Sequence, residues 1–308
     1  MQAICEIETA LAGLRLGSSQ VHANLALFPL VGEGAAADYV LLDEALERGL
    51  ARVTEVSAEG RVPELAFENA SSEKILLVDG DELAGAKQNR ILNLTILVGA
   101  GRKVVIPVSC VERGRWHYRS QDFQPARRSL FAKARAKKMQ SVSHAMLSTG
   151  ARCSDQSQVW DDVAAKATFF QSPSETGAMG DVYASRDAEL EDYVRAFRAE
   201  PRQRGAVVAI DAKVVGLELF DSPQAFARYL GKLVRSYALD ALETRNGKIL
   251  APSEDAVRRF LDSLLSAGAE RFAAVGEGED IRITGTGITG GALAASGRVV
   301  HLAGFAVP

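Results

Sequence analysis

The sequence predicts an α+β protein with a β-rich, sandwich or barrel-like N-terminal lobe, a helical middle segment, and a C-terminal α+β lobe with antiparallel strands. Three observations carry this. From about residue 14 to 120 the chain is a series of short apolar runs separated by turn residues, the pattern of strands. After Phe123 long polar-apolar segments of helical spacing take over, and beyond Gly205 strand-like and helix-like runs mix. The expected divisions are 1–122, 123–204 and 205–308.

In the first part the strands are NLALFPLVG, ARVTEVS, VPELAFENA, KILLVDG, NRILNLTILVGAG and KVVIPVSCVE, rich in Val, Ile and Leu and broken at Asn69, Gly80, Gly99 and Gly101. One helix interrupts them at about Leu42 to Arg48. Closely spaced strands favour a sandwich or barrel over a regular strand-helix alternation. In the middle, PARRSLFAKARAKKMQSVSHAMLSTG reads as one helix closing near Gly150, where glycine accepts the left-handed turn that ends helices. A second helix follows, with Ser154 as its cap and Val159, Trp160, Val163 and Ala167 along one side. QSPSETGAMGD reads as a loop and the region around Glu200 to Gly205 as a linker.

In the last part AVVAIDAKVVGLELF gives two strands about a turn near Asp211 to Lys213. The next helix is the clearest in the chain, because Ser222 suits the cap, Pro223 the first helical position, and Phe226, Leu230, Leu233 and Tyr237 one apolar face. Another helix runs from Ser253 to Gly268, and three strands broken by GEGE, GG and SGR finish the chain.

Composition narrows the function classes. With 308 residues, 47% hydrophobic and 24% charged, the chain has enough apolar surface for a large core and no signature of disorder. The start MQAICEIETALAGLRLG has no basic segment and places Glu6 and Glu8 where a secretory signal would be apolar. No run reaches the roughly 20 apolar residues of a membrane helix. Cys5, Cys110 and Cys153 make no CxxC pair and no even disulfide set. A cytoplasmic protein without a membrane partner is expected. The four histidines are too dispersed for a zinc site, so no metal centre is assigned. GTGITGG continues as a strand where a dinucleotide fingerprint needs a helix, VGAGRK lacks the spacing of a phosphate loop, and there is no GxSxG.

Three clusters remain. DGDELAGAKQNR is a dense polar stretch between the apolar runs KILLV and ILNLTILV, and polar groups that close to a core need partners. Asp79, Asp81 and Glu82 suit a hard cation such as magnesium, and Lys87, Gln88, Asn89 and Arg90 supply donors for phosphate, carboxylate or a base. An Asp-Gly turn with a solvated loop is the competing reading. In SCVERGRWHY, Cys110 is a candidate nucleophile if neighbouring cations lower its pKa, Glu112 a candidate base, and Arg115 with Trp116 a surface for a planar ring bearing phosphate. At the start of the second middle helix, Asp155, Gln156 and Trp160 can border a pocket. Residues 102 to 138 also carry eleven basic side chains against Glu112 and Asp122. That excess either draws an anionic small molecule or, as a less favoured partner, nucleic acid or an acidic protein, or is a solvated helix face neutralised by acidic neighbours elsewhere in the fold.

The runs VDGDELAGAKQNRILN, IPVSCVERGRW and SDQSQVWDDV together resemble the ARG and rhodanese-phosphatase-superfamily-associated protein domain family, ARPP, over about Asn24 to beyond Leu239. The resemblance implies involvement in NAD or ADP-ribose metabolism, as a binding protein or as a hydrolase or transferase on an ADP-ribose-like metabolite. It singles out Asp79, Gly80, Glu82, Lys87, Gln88, Asn89, Arg90, Ser109, Cys110, Glu112, Arg115, Trp116, Asp155, Gln156 and Trp160. Glu82, Glu112 and Cys110 are then the catalytic candidates and the others, apart from Gly80 and Ser109, the ligand contacts.

Overall fold

The structure, a computed structural model, describes residues 2–57, 59–244 and 251–307. It is α+β, as expected, with a β-rich lobe, a helical middle and a C-terminal α+β lobe of antiparallel strands. A nine-stranded antiparallel sheet runs Arg15–Leu16, Leu25–Val31, Gln203–Ile210, Lys213–Phe220, Arg298–Ala306, Ile288–Ala295, Glu279–Gly285, Gly268–Ala273, and Gln20–His22 adds alongside Leu25–Val31. The divisions expected from sequence cut across this sheet, because Leu25–Val31 pairs with Gln203–Ile210 along its length.

Alternation explains why those strands are buried on both faces. Leu25, Leu27, Ala206 and Val208 face one core, where they meet Phe226, Tyr229, Leu233 and Tyr237 of the helix Pro223–Thr244. Ala26, Phe28, Leu30, Val207 and Ala209 face the other, under the helices Gln2–Ala12 and Glu254–Leu265. The β-rich lobe has a six-stranded antiparallel sheet, Phe123–Ser129, Asp81–Gly85, Arg90–Leu92, Lys103–Cys110, Glu64–Asn69, Ala51–Glu55, and a three-stranded sheet, Ile96–Val98, Lys74–Leu77, Tyr39–Leu41. Their apolar faces share a third core containing Val53, Phe67, Ile75, Leu77, Ile106 and Val108.

Several elements confirm the local chemistry. Asp211 and Ala212 turn the first C-terminal hairpin with φ of 49° and 61°, the paired positive φ that matches strand twist. Ser222 Oγ accepts from the Ala225 amide at 3.4 Å, Ser253 caps its helix through the Ala256 amide, and Gly150 closes Ala132–Thr149 with φ of 76°.

Others need correction. The middle helix starts at Ala132, because Phe123–Ser129 is a strand on Asp81–Gly85, where Pro125 disfavours a helical residue before it. Asp155, and not Ser154, caps Gln156–Phe170 by accepting from the Gln158 amide at 3.1 Å. Ser154 is turned to Ser109, with 2.5 Å between the hydroxyl oxygens. The helices Gln2–Ala12, Met179–Ser185 and Asp187–Ala196 add to those expected. Glu254–Leu265 ends before Gly268, which opens a strand, so four strands finish the chain. Gly290 and Gly291 lie inside Ile288–Ala295, since a Cβ at Gly291 would stand 2.5 Å from Arg282 Nη2. No helix among the described residues is long and apolar enough to cross a membrane.

Candidate functional site

The polar stretch after Lys74–Leu77 is half strand and wholly drawn into the fold. Asp81–Gly85 and Arg90–Leu92 pair, and the connection between them buries Lys87, Gln88, Asn89 and Arg90, with Arg90 0% exposed. The solvated-loop reading therefore fails. The stretch is held by the second cluster, which leaves Lys103–Cys110 at its end. Glu112 Oε2 accepts from the Asn89 amide at 3.0 Å and from Arg115 Nη2 at 2.6 Å, and Oε1 accepts from the Thr176 hydroxyl at 2.8 Å.

Arg115 is the hub. Its Nη1 donates to the carbonyls of Ala86 at 2.5 Å and His117 at 3.0 Å, and its Nη2 to Gly85 O at 3.2 Å, Asn89 Oδ1 at 3.2 Å and Glu112. A guanidinium so engaged is a staple for residues 85–89 and has no open fork for a phosphate. Burial raises the Glu112 carboxyl, but Arg115, Thr176 and the Asn89 amide outweigh it, and its pKa falls below the ordinary value. Glu112 is thus a fixed anion.

Glu82 behaves differently. Burial outweighs the pull of Arg128 and lifts its pKa above the usual value. Its Oε1 accepts from Asn89 Nδ2 at 3.1 Å and its Oε2 from Arg128 Nε at 2.5 Å. Cys110 is 0% exposed and burial pushes its thiol up, which leaves it a donor toward Gln88 Oε1 at 3.2 Å and not a thiolate. Gln156 clips the third cluster on, because its amide both donates to Cys110 O and accepts from Cys110 N at 2.8 Å. Trp160 adjoins the Cys110 thiol and stacks under Arg113, whose guanidinium lies 5.2 Å from the ring centre. Asp155 is exposed and its carboxylate serves as the helix cap.

Arg90 stands out in this packed network. Its Nη1 donates to Gln88 Oε1 at 2.9 Å, while buried Nε and Nη2 have no acceptor among the described residues. Burial, the first cause, lowers its pKa from the ordinary arginine value. Trp116, 46% exposed, covers both Arg90, at 5.5 Å to the ring centre, and Lys87, at 5.3 Å. The Lys87 ammonium also faces Tyr118 and donates to Glu59 O at 2.7 Å.

The acidic triplet does not converge on a cation. Asp79 takes Lys138 Nζ at 2.6 Å and Arg135 Nε at 3.2 Å, Asp81 takes Tyr229 OH at 2.9 Å and Lys232 Nζ at 3.1 Å, and Glu82 takes Arg128. No three His, Cys, Asp or Glu side chains gather as metal ligands among the described residues. Asp79 belongs to an ionic core that sequence reasoning missed. Arg135 Nη2 donates to Glu218 Oε1 at 2.6 Å, and His301 bridges Glu218 at 2.8 Å to the Thr95 hydroxyl at 2.9 Å. Burial raises Asp79, but Lys138 and Arg135 pull it below the carboxylate norm. Burial pushes Lys138 down to about 8 against the pull of Asp79, with the like charges of Arg135 and Arg282 adding to the fall.

The basic segment is divided between core and surface. Arg135 and Lys138 are buried, and Arg127, Arg128 and Lys137 pair with Glu47, Glu82 and Asp162. Arg102, Lys103, Arg113, Arg119 and Lys133 are exposed, as is Arg127.

The fold and this site define an α+β protein in which three motifs, far apart in sequence, lock into one buried polar cluster around an arginine with open donors. The model of the ARG and Rhodanese-Phosphatase-superfamily-associated Protein domain matches residues 13–305, and the chain belongs to that family. Comparison with curated proteins and with solved structures returned no match for the chain.

Proposed function

We propose that the chain binds a small anionic ligand, a phosphorylated nucleotide-like molecule related to NAD or ADP-ribose, at Arg90. One observation carries this: a fully buried guanidinium with two nitrogens lacking acceptors, roofed by an exposed tryptophan. An unpaired buried cation costs several kcal/mol by ordinary estimates, and an anion would repay it. Trp116 would swing from the cations to stack on the planar ring, and Lys87, released from that ring, would face the anion. Gln88 and Trp160 would border the same space. If hydrolysis or transfer follows, Glu82 is the group that can hold and release a proton above the usual carboxylate range, since Glu112 is locked by Arg115.

Thermal unfolding with NAD, ADP-ribose and ADP, with and without magnesium, tests the reading. Ligand at about 100 times its Kd stabilises by about 2.7 kcal/mol, a rise of several degrees that Arg90→Gln should abolish. Unchanged melting at millimolar ligand sinks the proposal.

A further inference from the structure

A groove of about 490 Å³ is lined by Arg127, Arg128, Tyr183, Asp187, Glu191 and Arg235 among others, and Arg128 ties it to Glu82. We infer that it is a second, independent anion subsite, built to take a phosphoryl group on Arg128. This goes beyond the Arg90 reading and does not depend on it.

The first argument is the aim of the side chains. Consecutive strand residues point to opposite faces, yet Arg127 and Arg128 both line the groove. The strand Phe123–Ser129 achieves this through a register shift between Pro125 and Ser129, with Arg127 held at φ of 52°. A non-glycine residue in that region is strained, and bulges of this kind re-aim side chains.

The second is the guanidinium itself. Arg128 Nε donates to Glu82 Oε2, and Glu82 is in turn positioned by Asn89 from the KQNR segment. Nη1 and Nη2 make no hydrogen bond among the described residues, and the side chain is 25% exposed. The fork formed by these two nitrogens is therefore free and oriented, as two-pronged recognition of phosphate requires. The acidic groups on the groove wall are committed elsewhere, since Asp187 and Glu191 both accept from Arg235 Nη2 at 2.6 Å.

The third is Gly180. A Cβ there would overlap Arg128 Nη2, so the absence of a side chain at the start of Met179–Ser185 is what lets the guanidinium lie where it does.

Removing Arg128 would strand Glu82 and risk the fold, so the test leaves the arginine in place. The full chain is treated with phenylglyoxal, and modification of Arg128 is followed by peptide mass spectrometry in inorganic phosphate or in sodium chloride of equal ionic strength. Phosphate is expected to slow modification of Arg128 at least threefold relative to chloride while leaving exposed Arg258 unchanged. Protection should persist in Arg90→Gln and vanish in Gly180→Ala, with circular dichroism showing that each variant is folded. Equal rates in phosphate and chloride, loss of protection in Arg90→Gln, or full protection in Gly180→Ala would each overturn the inference.

Discussion

Replacing Arg115 by methionine should act on stability and not on ligand contact, contrary to what its place beside Trp116 suggests in the sequence. The side chain is fully buried and bonds to three backbone carbonyls, Asn89 and Glu112. Methionine keeps the volume but leaves Glu112 a buried anion held only by Thr176 and the Asn89 amide. Breaking a buried ion pair from one side costs about 3–5 kcal/mol, a large share of a typical total of about 5–15 kcal/mol. In urea the midpoint should fall by about 1 M or more, given slopes of about 1–3 kcal/mol per M. Pairing Arg115→Met with Glu112→Gln closes a double-mutant cycle, and the two changes together should cost well under their sum. A loss below about 1 kcal/mol in the single variant, or additive losses in the cycle, would refute the staple role.

Arg90→Met removes a cation that has lost most of its hydration and found one acceptor, so the ligand-free protein should be equally or more stable by denaturation, while any ligand-induced stabilisation disappears. Asp81, pushed up to about 6 mainly by burial, binds its proton more tightly folded than unfolded. Its contribution therefore weakens as pH rises from about 4 to 6, and Asp81→Asn should flatten that part of the stability profile measured by urea titration. Gly216→Ala places a Cβ on the Tyr237 hydroxyl and 3.0 Å from Gly304 O, so thermal melting should show a loss of about 1–3 kcal/mol.

Much of what the sequence revealed was decided by short-range chemistry, although the cap at Asp155 and the helix start at Ala132 were not. The cap at Ser222, the turn at Asp211 and Ala212, the stop at Gly150 and the apolar strands all depend on residues within a few positions of each other. The family motifs were legible too, and the structure brings Glu82, Gln88, Asn89, Arg90, Cys110, Glu112, Arg115 and Gln156 into one bonded cluster. Their roles were not legible, because whether an arginine holds a loop or awaits a ligand depends on acceptors supplied from elsewhere in the chain. Arg115 finds carbonyls at Gly85 and Ala86, whereas Arg90 finds only Gln88. The charge balance of the basic middle segment was illegible for the same reason, since Glu218, which pairs with Arg135, lies 83 positions away.

The seam between Leu25–Val31 and Gln203–Ile210 sets a timetable for biosynthesis. Asn24 and its partner Asp211 are 187 residues apart, so at about 5–20 residues per second the early segment spends roughly 10–40 s outside the ribosome before its neighbour is made. During that wait its greasy edge is open to other nascent chains, and this protein should yield better when a chaperone covers that edge.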